Sequence, residues 1–139
     1  MTGRIVCVAT LVIACQASVA AAQATHDIRL ADRAGTWRGT FMIGANDSVV
    51  ATLVLRATAG RDGWTLTLPD HDPLPTRVVA VGGDSVVTET GPYPSTRRPG
   101  QTVTTRITGH YHGARMVGTF VAHYTSGDTR GKVAARLAP

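Results

Sequence analysis

The sequence predicts an all-β fold: an antiparallel up-and-down β-barrel of about eight strands, set behind an N-terminal signal peptide. Three observations predict it. From residue 34 onward the chain is an almost unbroken series of short runs in which apolar and polar residues alternate, and a period of two puts every second side chain on one face of a strand. Gly, Asn, Asp and Pro clusters separate the runs, supplying turn chemistry at short intervals. The connections are short enough for a meander, and closing such a sheet on itself removes both exposed edges.

The first strand is read over 36–43, with Trp37, Gly39, Phe41 and Ile43 on one face and Thr36, Arg38, Thr40 and Met42 on the other. Gly44-Ala45-Asn46-Asp47 turns the chain into a second strand over 49–58, whose leucines Leu53 and Leu55 should face inward. A four-residue loop with Ile43 opposite Ser48 would set Val54, not a leucine, beside Trp37. The register therefore needs one more loop residue or a bulge. Strand three (64–68) alternates cleanly and stops at Pro69-Asp70-His71-Asp72-Pro73, because proline cannot continue a ladder from its interior. Strand four is placed at 77–81 and, after Gly82-Gly83, strand five at 84–89. The longest irregular piece is then 91–100, followed by strands over 102–111, 115–124 and 130–137. If His112 to Arg115 form a tight turn, Ile107 lies opposite Phe120, Tyr111 opposite Met116, Thr105 opposite Ala122 and Val103 opposite Tyr124. One apolar face then runs unbroken across the hairpin.

Composition fits one globular domain, and the formal charge of +5 rests on arginine, since Lys132 is the only lysine. The arginines are scattered along the chain, with only Arg97 and Arg98 adjacent, and nucleic-acid binding, which needs clustered cations and stacking aromatics, is not expected. Residues 1–24 read as the signal peptide: Arg4, the apolar run from Ile5 to Ala14, then small residues offering cleavage after Ala22 or Ala24. The alternative is a lipid anchor at Cys15, because Val12-Ile13-Ala14-Cys15 resembles the bacterial lipoprotein box. Either route exports the protein, to the periplasm or beyond, with no transmembrane span in the mature chain. Residues 25–33 form a linker and 34–139 the barrel domain. Both cysteines, Cys7 and Cys15, fall in the signal segment, so the mature domain has no disulfide or thiol chemistry.

Gly35-Thr36-Trp37 at the mouth of the first strand, with Arg136 on the last, resembles the calycin group of lipocalins, fatty-acid-binding proteins and avidins. The resemblance implies a barrel whose first-strand tryptophan is covered by a basic side chain from near the C-terminus, here Arg136. The segment from Gly35 to Gly39 also resembles the nitrobindin-type barrels, which hold haem through a histidine near the chain end. The strand over 130–137 has no histidine, so no haem or other cofactor is expected.

The histidines suggest no complete metal site: His110 and His112 share a strand face at a usable spacing, but a third ligand is missing. The serines lie in turns without a nucleophile elbow, and no carboxylate pair stands out. An enzyme is therefore not expected. The expected function is binding of a small apolar or amphipathic ligand in the barrel interior, the alternative being a structural or protein-interaction barrel of the cell envelope with a filled core. The candidate ligand-binding residues are Trp37, Phe41, Trp64, Tyr93, Arg97, Arg98, Ile107 and Phe120, with Gly39, Ala51, Gly118, Ala122 and Ala135 leaving space inside. The loop over 91–100 is the expected gate, because its prolines stiffen it and Arg97 and Arg98 could receive an anionic head group.

Overall fold

The computed structural model describes residues 27–139; the segment read as a signal peptide, with Cys7 and Cys15, lies outside the described residues. A turn of 3-10 helix, Leu30–Arg33, leads into eight strands: β1 Gly35–Ile43, β2 Ser48–Ala57, β3 Trp64–Thr67, β4 Leu74–Gly82, β5 Ser85–Pro94, β6 Thr102–His112, β7 Arg115–Tyr124 and β8 Gly127–Leu137. Each strand pairs antiparallel with the next, and β1 pairs with β8, from Trp37 opposite Leu137 to Met42 opposite Lys132, so the sheet is a closed barrel.

The β6–β7 hairpin has the register the alternation requires, with Ile107 opposite Phe120 and Tyr111 opposite Met116. In the first hairpin the ambiguity is resolved by a bulge. Ile43 does lie opposite Ser48, but the register shifts between Phe41 and Met42, so that Val50 has no partner and Leu55 comes to face Trp37. A second shift, between Thr90 and Tyr93, lets β5 continue to Pro94 where sequence reading ended it at Glu89. The irregular loop is therefore 95–101 rather than 91–100. Pro75 sits near the start of β4, where a missing donor costs little, and β4 accordingly begins at Leu74.

The two ends of the barrel differ. At the end holding the β2–β3, β4–β5 and β6–β7 connections and the 3-10 turn, the interior is filled by Trp37, Leu55, Trp64, Leu66, Val86, Tyr111 and Met116, all buried. Trp37 meets the edge of Tyr111 at 4.9 Å between centroids, and its indole Nε1 donates to the Arg33 carbonyl at 2.9 Å. The expected cover of Trp37 by Arg136 does not form. Arg136 lies opposite Arg38, with its side chain on the exposed outer face, because the inward positions of β8 are Val133 and Ala135. At this end the Arg33 Nη1 donates to the Gly113 carbonyl at 2.7 Å.

The glycines do not leave space, contrary to the expectation for Gly39 and Gly118. A Cβ on Gly39 would stand 2.0 Å from the Ala134 carbonyl oxygen, and one on Gly118 1.9 Å from that of Thr108. These glycines let neighbouring backbones approach closely. The interior beside β4, β5 and β6 is polar in part. Thr76 and Thr90 share a buried hydroxyl hydrogen bond of 2.6 Å, and Thr88 and Thr105 are buried alongside.

Candidate functional site

The opposite end, which holds the β1–β2, β3–β4, β5–β6 and β7–β8 connections, opens into a cavity of about 520 Å³. Its position follows from the shortness of β3. Pro69 to Pro73 break the ladder, so β2 is paired to β3 only from Val54 to Arg56. The mouthward part of β2 therefore has no partner on that side, and the loop over 68–73 folds across as one wall.

The apolar lining comes from inward-facing strand positions. Phe41 and Phe120 meet edge to face at 4.7 Å, and Ala51, Val103 and Ala122 lie around them. Ala51 and Ala122 are the small residues that do leave room. Val50, displaced by the bulge, and Leu68 complete the apolar side.

Polar groups complete the lining, from the buried wall out to the rim. The Tyr93 hydroxyl shares a 2.7 Å hydrogen bond with Thr105, and its ring meets the edge of His71 at 5.4 Å. Burial pushes the Tyr93 phenol above its ordinary pKa, with the Thr105 hydrogen bond opposing, so it stays neutral at physiological pH. Arg98 is held on several sides. Its guanidinium lies 4.1 Å over the centre of the Tyr124 ring, Nη1 donates to Ser126 at 2.9 Å and Nη2 to Thr129 at 3.2 Å, while its backbone N–H donates to the Ser95 hydroxyl at 3.0 Å. Arg97 is exposed beside it. Among the described residues neither arginine has a carboxylate partner. Asp70, in a left-handed conformation at φ 63°, is the acid that lines the facing wall.

Of the eight residues selected from sequence, Phe41, Tyr93, Arg97, Arg98 and Phe120 line this cavity. Trp37, Trp64 and Ile107 do not: they are at most 2% exposed and lie in the packed interior outside the lining. Sequence reading missed Tyr124, Thr129, His71 and Leu68. The β6–β7 register already put Tyr124 on the inward face opposite Val103, whereas nothing local indicated that the 68–73 loop would fold over the mouth.

At the filled end Asp84 stands between two histidines, with Oδ1 3.0 Å from His110 Nδ1 and Oδ2 3.0 Å from His112 Nε2. The His110 hydrogen bond, outweighing partial desolvation, holds the Asp84 carboxyl below its usual pKa. Ser85 Oγ lies 2.8 Å from the same His110 nitrogen that Asp84 contacts. A relay needs serine on one ring nitrogen and carboxylate on the other, so the three do not form one. Among the described residues no group of three His, Cys, Asp or Glu side chains is placed to hold a metal ion. Comparison with protein-family models, curated proteins and solved structures finds no match for this chain.

Proposed function

We propose that the protein is an exported, calycin-like barrel that binds a small amphipathic anion at its open mouth, the apolar part lying against Phe41, Phe120 and Ala122 and the anionic group on Arg97. The observation that carries this reading is a cavity of about 520 Å³ with an apolar wall and, at its rim, a guanidinium that has no carboxylate partner among the described residues. That volume falls in the range of about 300–1,000 Å³ that small-molecule sites occupy. A cation without an ion-pair partner at a low-dielectric opening attracts anions, and the Arg fork suits a carboxylate or phosphate. The reading assigns no catalytic role to any residue and needs no cofactor.

The test is displacement of an environment-sensitive apolar fluorophore by medium-chain fatty acids. Intrinsic tryptophan fluorescence is a poor reporter, because neither Trp37 nor Trp64 lines the cavity and both are buried. Binding should raise the unfolding midpoint, since the ligand engages the folded state alone. Ala122→Trp should abolish displacement by occupying the apolar pocket. If a broad panel of amphipathic acids neither displaces the fluorophore nor moves the midpoint, the barrel is a structural or interaction module.

A further inference from the structure

The arginines that look scattered in sequence are not scattered in space. Arg136 on β8 lies directly opposite Arg38 on β1 and directly opposite Arg115 on β7, so three guanidinium side chains stand in one row across three strands. Neighbouring strands are about 4.8 Å apart, which makes the row roughly 10 Å long. All three side chains are exposed, and among the described residues none has an ion-pair partner. Like charges directly opposite one another destabilise a sheet, so the fold retains an arrangement that opposes it.

No acid of these three strands compensates the row, and on the adjoining β6 side Asp84 is taken up by His110 and His112. β1 and β7 contain no Asp or Glu, and the one acid of β8, Asp128, is engaged by His123 and Arg130 at the far end of the strand. Between the arginines lies a shallow depression of about 320 Å³ floored by Met116, Ala134 and Ala135, and Val117 beside it is 46% exposed.

We propose that this face docks the protein onto an anionic phospholipid surface, the arginines on lipid phosphates and Val117 at the headgroup boundary. The shared chemistry is a phosphate anion, and the spread of the cations favours a lipid surface over a free phosphate. Three exposed guanidinium groups spaced over roughly 10 Å across three strands match the several phosphates that a lipid surface presents side by side. The polypeptide also enters the barrel at this same end: Ile28 N–H donates to the Gly83 carbonyl at 2.6 Å and Gly83 N–H to Asp27 at 3.0 Å. Docked in this way, the barrel would turn its open mouth away from the lipid.

The experiment measures partition of the full chain onto vesicles of phosphatidylcholine alone and onto vesicles carrying phosphatidylglycerol. At about fivefold per arginine, R38Q/R115Q/R136Q should lose roughly a hundredfold of the preference for the anionic vesicles. R77Q/R106Q/R130Q removes the same charge from arginines paired with Glu89 and Asp128 and should stay within about twofold of wild type. High salt should erase the preference, because screening at about 1 M confines the attraction to about 3 Å. Should the triple variant misfold, R136Q alone, from the middle of the row, should lose about fivefold. Equal loss in the two triple variants, no preference for anionic vesicles, or displacement by inorganic phosphate would each overturn the proposal. The inference does not rest on the mouth cavity, and R38Q/R115Q/R136Q should leave fatty-acid displacement unchanged.

Discussion

Arg97 and Arg98 are neighbours in sequence with identical chemistry, yet their surroundings assign them different work. Arg98 joins the 95–101 loop to the β7–β8 turn through Tyr124, Ser126 and Thr129. Arg98→Ala removes a cation–π contact worth about 0.5–1 kcal/mol and two charge-assisted hydrogen bonds that, half-exposed, add about 1 kcal/mol together. The expected destabilisation is about 2 kcal/mol, a fall in Tm of about 6–10 °C for a domain of this size. Arg97 is exposed and makes no such contacts, so Arg97→Ala should cost under about 0.5 kcal/mol of stability. In the displacement assay the weighting reverses. Arg97→Ala should weaken a fatty acid about tenfold, or 1.4 kcal/mol, while a neutral alcohol of the same chain length should be unaffected. Thermal unfolding and displacement measured on the same two variants decide the matter. Equal losses of Tm, or an equal effect of Arg97→Ala on acid and alcohol, would refute the assignment.

Gly118→Ala should destabilise by about 3 kcal/mol or more, because its Cβ would meet the Thr108 carbonyl oxygen at 1.9 Å; a Tm within 2 °C of wild type would show that the two strands can part. Arg33→Ala should cost about 1 kcal/mol by releasing the Gly113 carbonyl, whereas Arg136→Ala should be neutral or, at low ionic strength, slightly stabilising as repulsion from Arg38 and Arg115 is relieved. Denaturation melts at two salt concentrations separate these outcomes. At the acid end, Asp84 is more acidic folded than unfolded. Its contribution is therefore complete above the ordinary carboxylate pKa of 3.8 and is lost as pH falls through the lower folded value, and Asp84→Asn should flatten that part of the stability curve. At the alkaline end, burial raises the Tyr111 phenol far above its ordinary value of 10.0, so stability should fall as pH rises past that value, and Tyr111→Phe should lessen the fall.

The barrel was legible because its signals are local. Alternation fixed which residues face inward on β6 and β7, and the two-residue turn fixed their register without any long-range information. The first hairpin shows where locality fails, since its pattern demanded an extra residue but did not say where the bulge would fall; the fold puts it at Val50, which thereby joins the cavity wall. Five of the eight candidate site residues reach the cavity because they sit on the mouthward half of inward-facing strands or on the loop after β5. Trp37, Trp64 and Ile107 share their face and hydrophobicity but lie farther from the mouth, and depth along the barrel is set by how the strands stagger, which alternation does not encode. The arginine row is a still longer-range feature. Arg115 and Arg136 meet across the β7–β8 hairpin, but Arg38 joins them only when β1 closes onto β8, so no window of sequence could have revealed the whole row.

The size of the cavity constrains how it can be used. A sealed, dry apolar void of about 520 Å³ would cost about 12 kcal/mol at roughly 24 cal/mol per Å³, comparable with the whole stability of a domain of this length. The barrel avoids that cost because the cavity is not sealed. β3 ends at Thr67, β2 is left without a partner on its mouthward side, and water can reach Phe41 and Phe120 through the opening. The filled end, with two tryptophans, Tyr111 and Met116 packed against one another, carries the stability that the open end lacks. Water held against an apolar wall is readily displaced by an apolar chain, so association should show a negative heat-capacity change whatever its balance of enthalpy and entropy. Apolar burial would then supply most of the affinity, and Arg97 would set which end of the ligand remains at the rim.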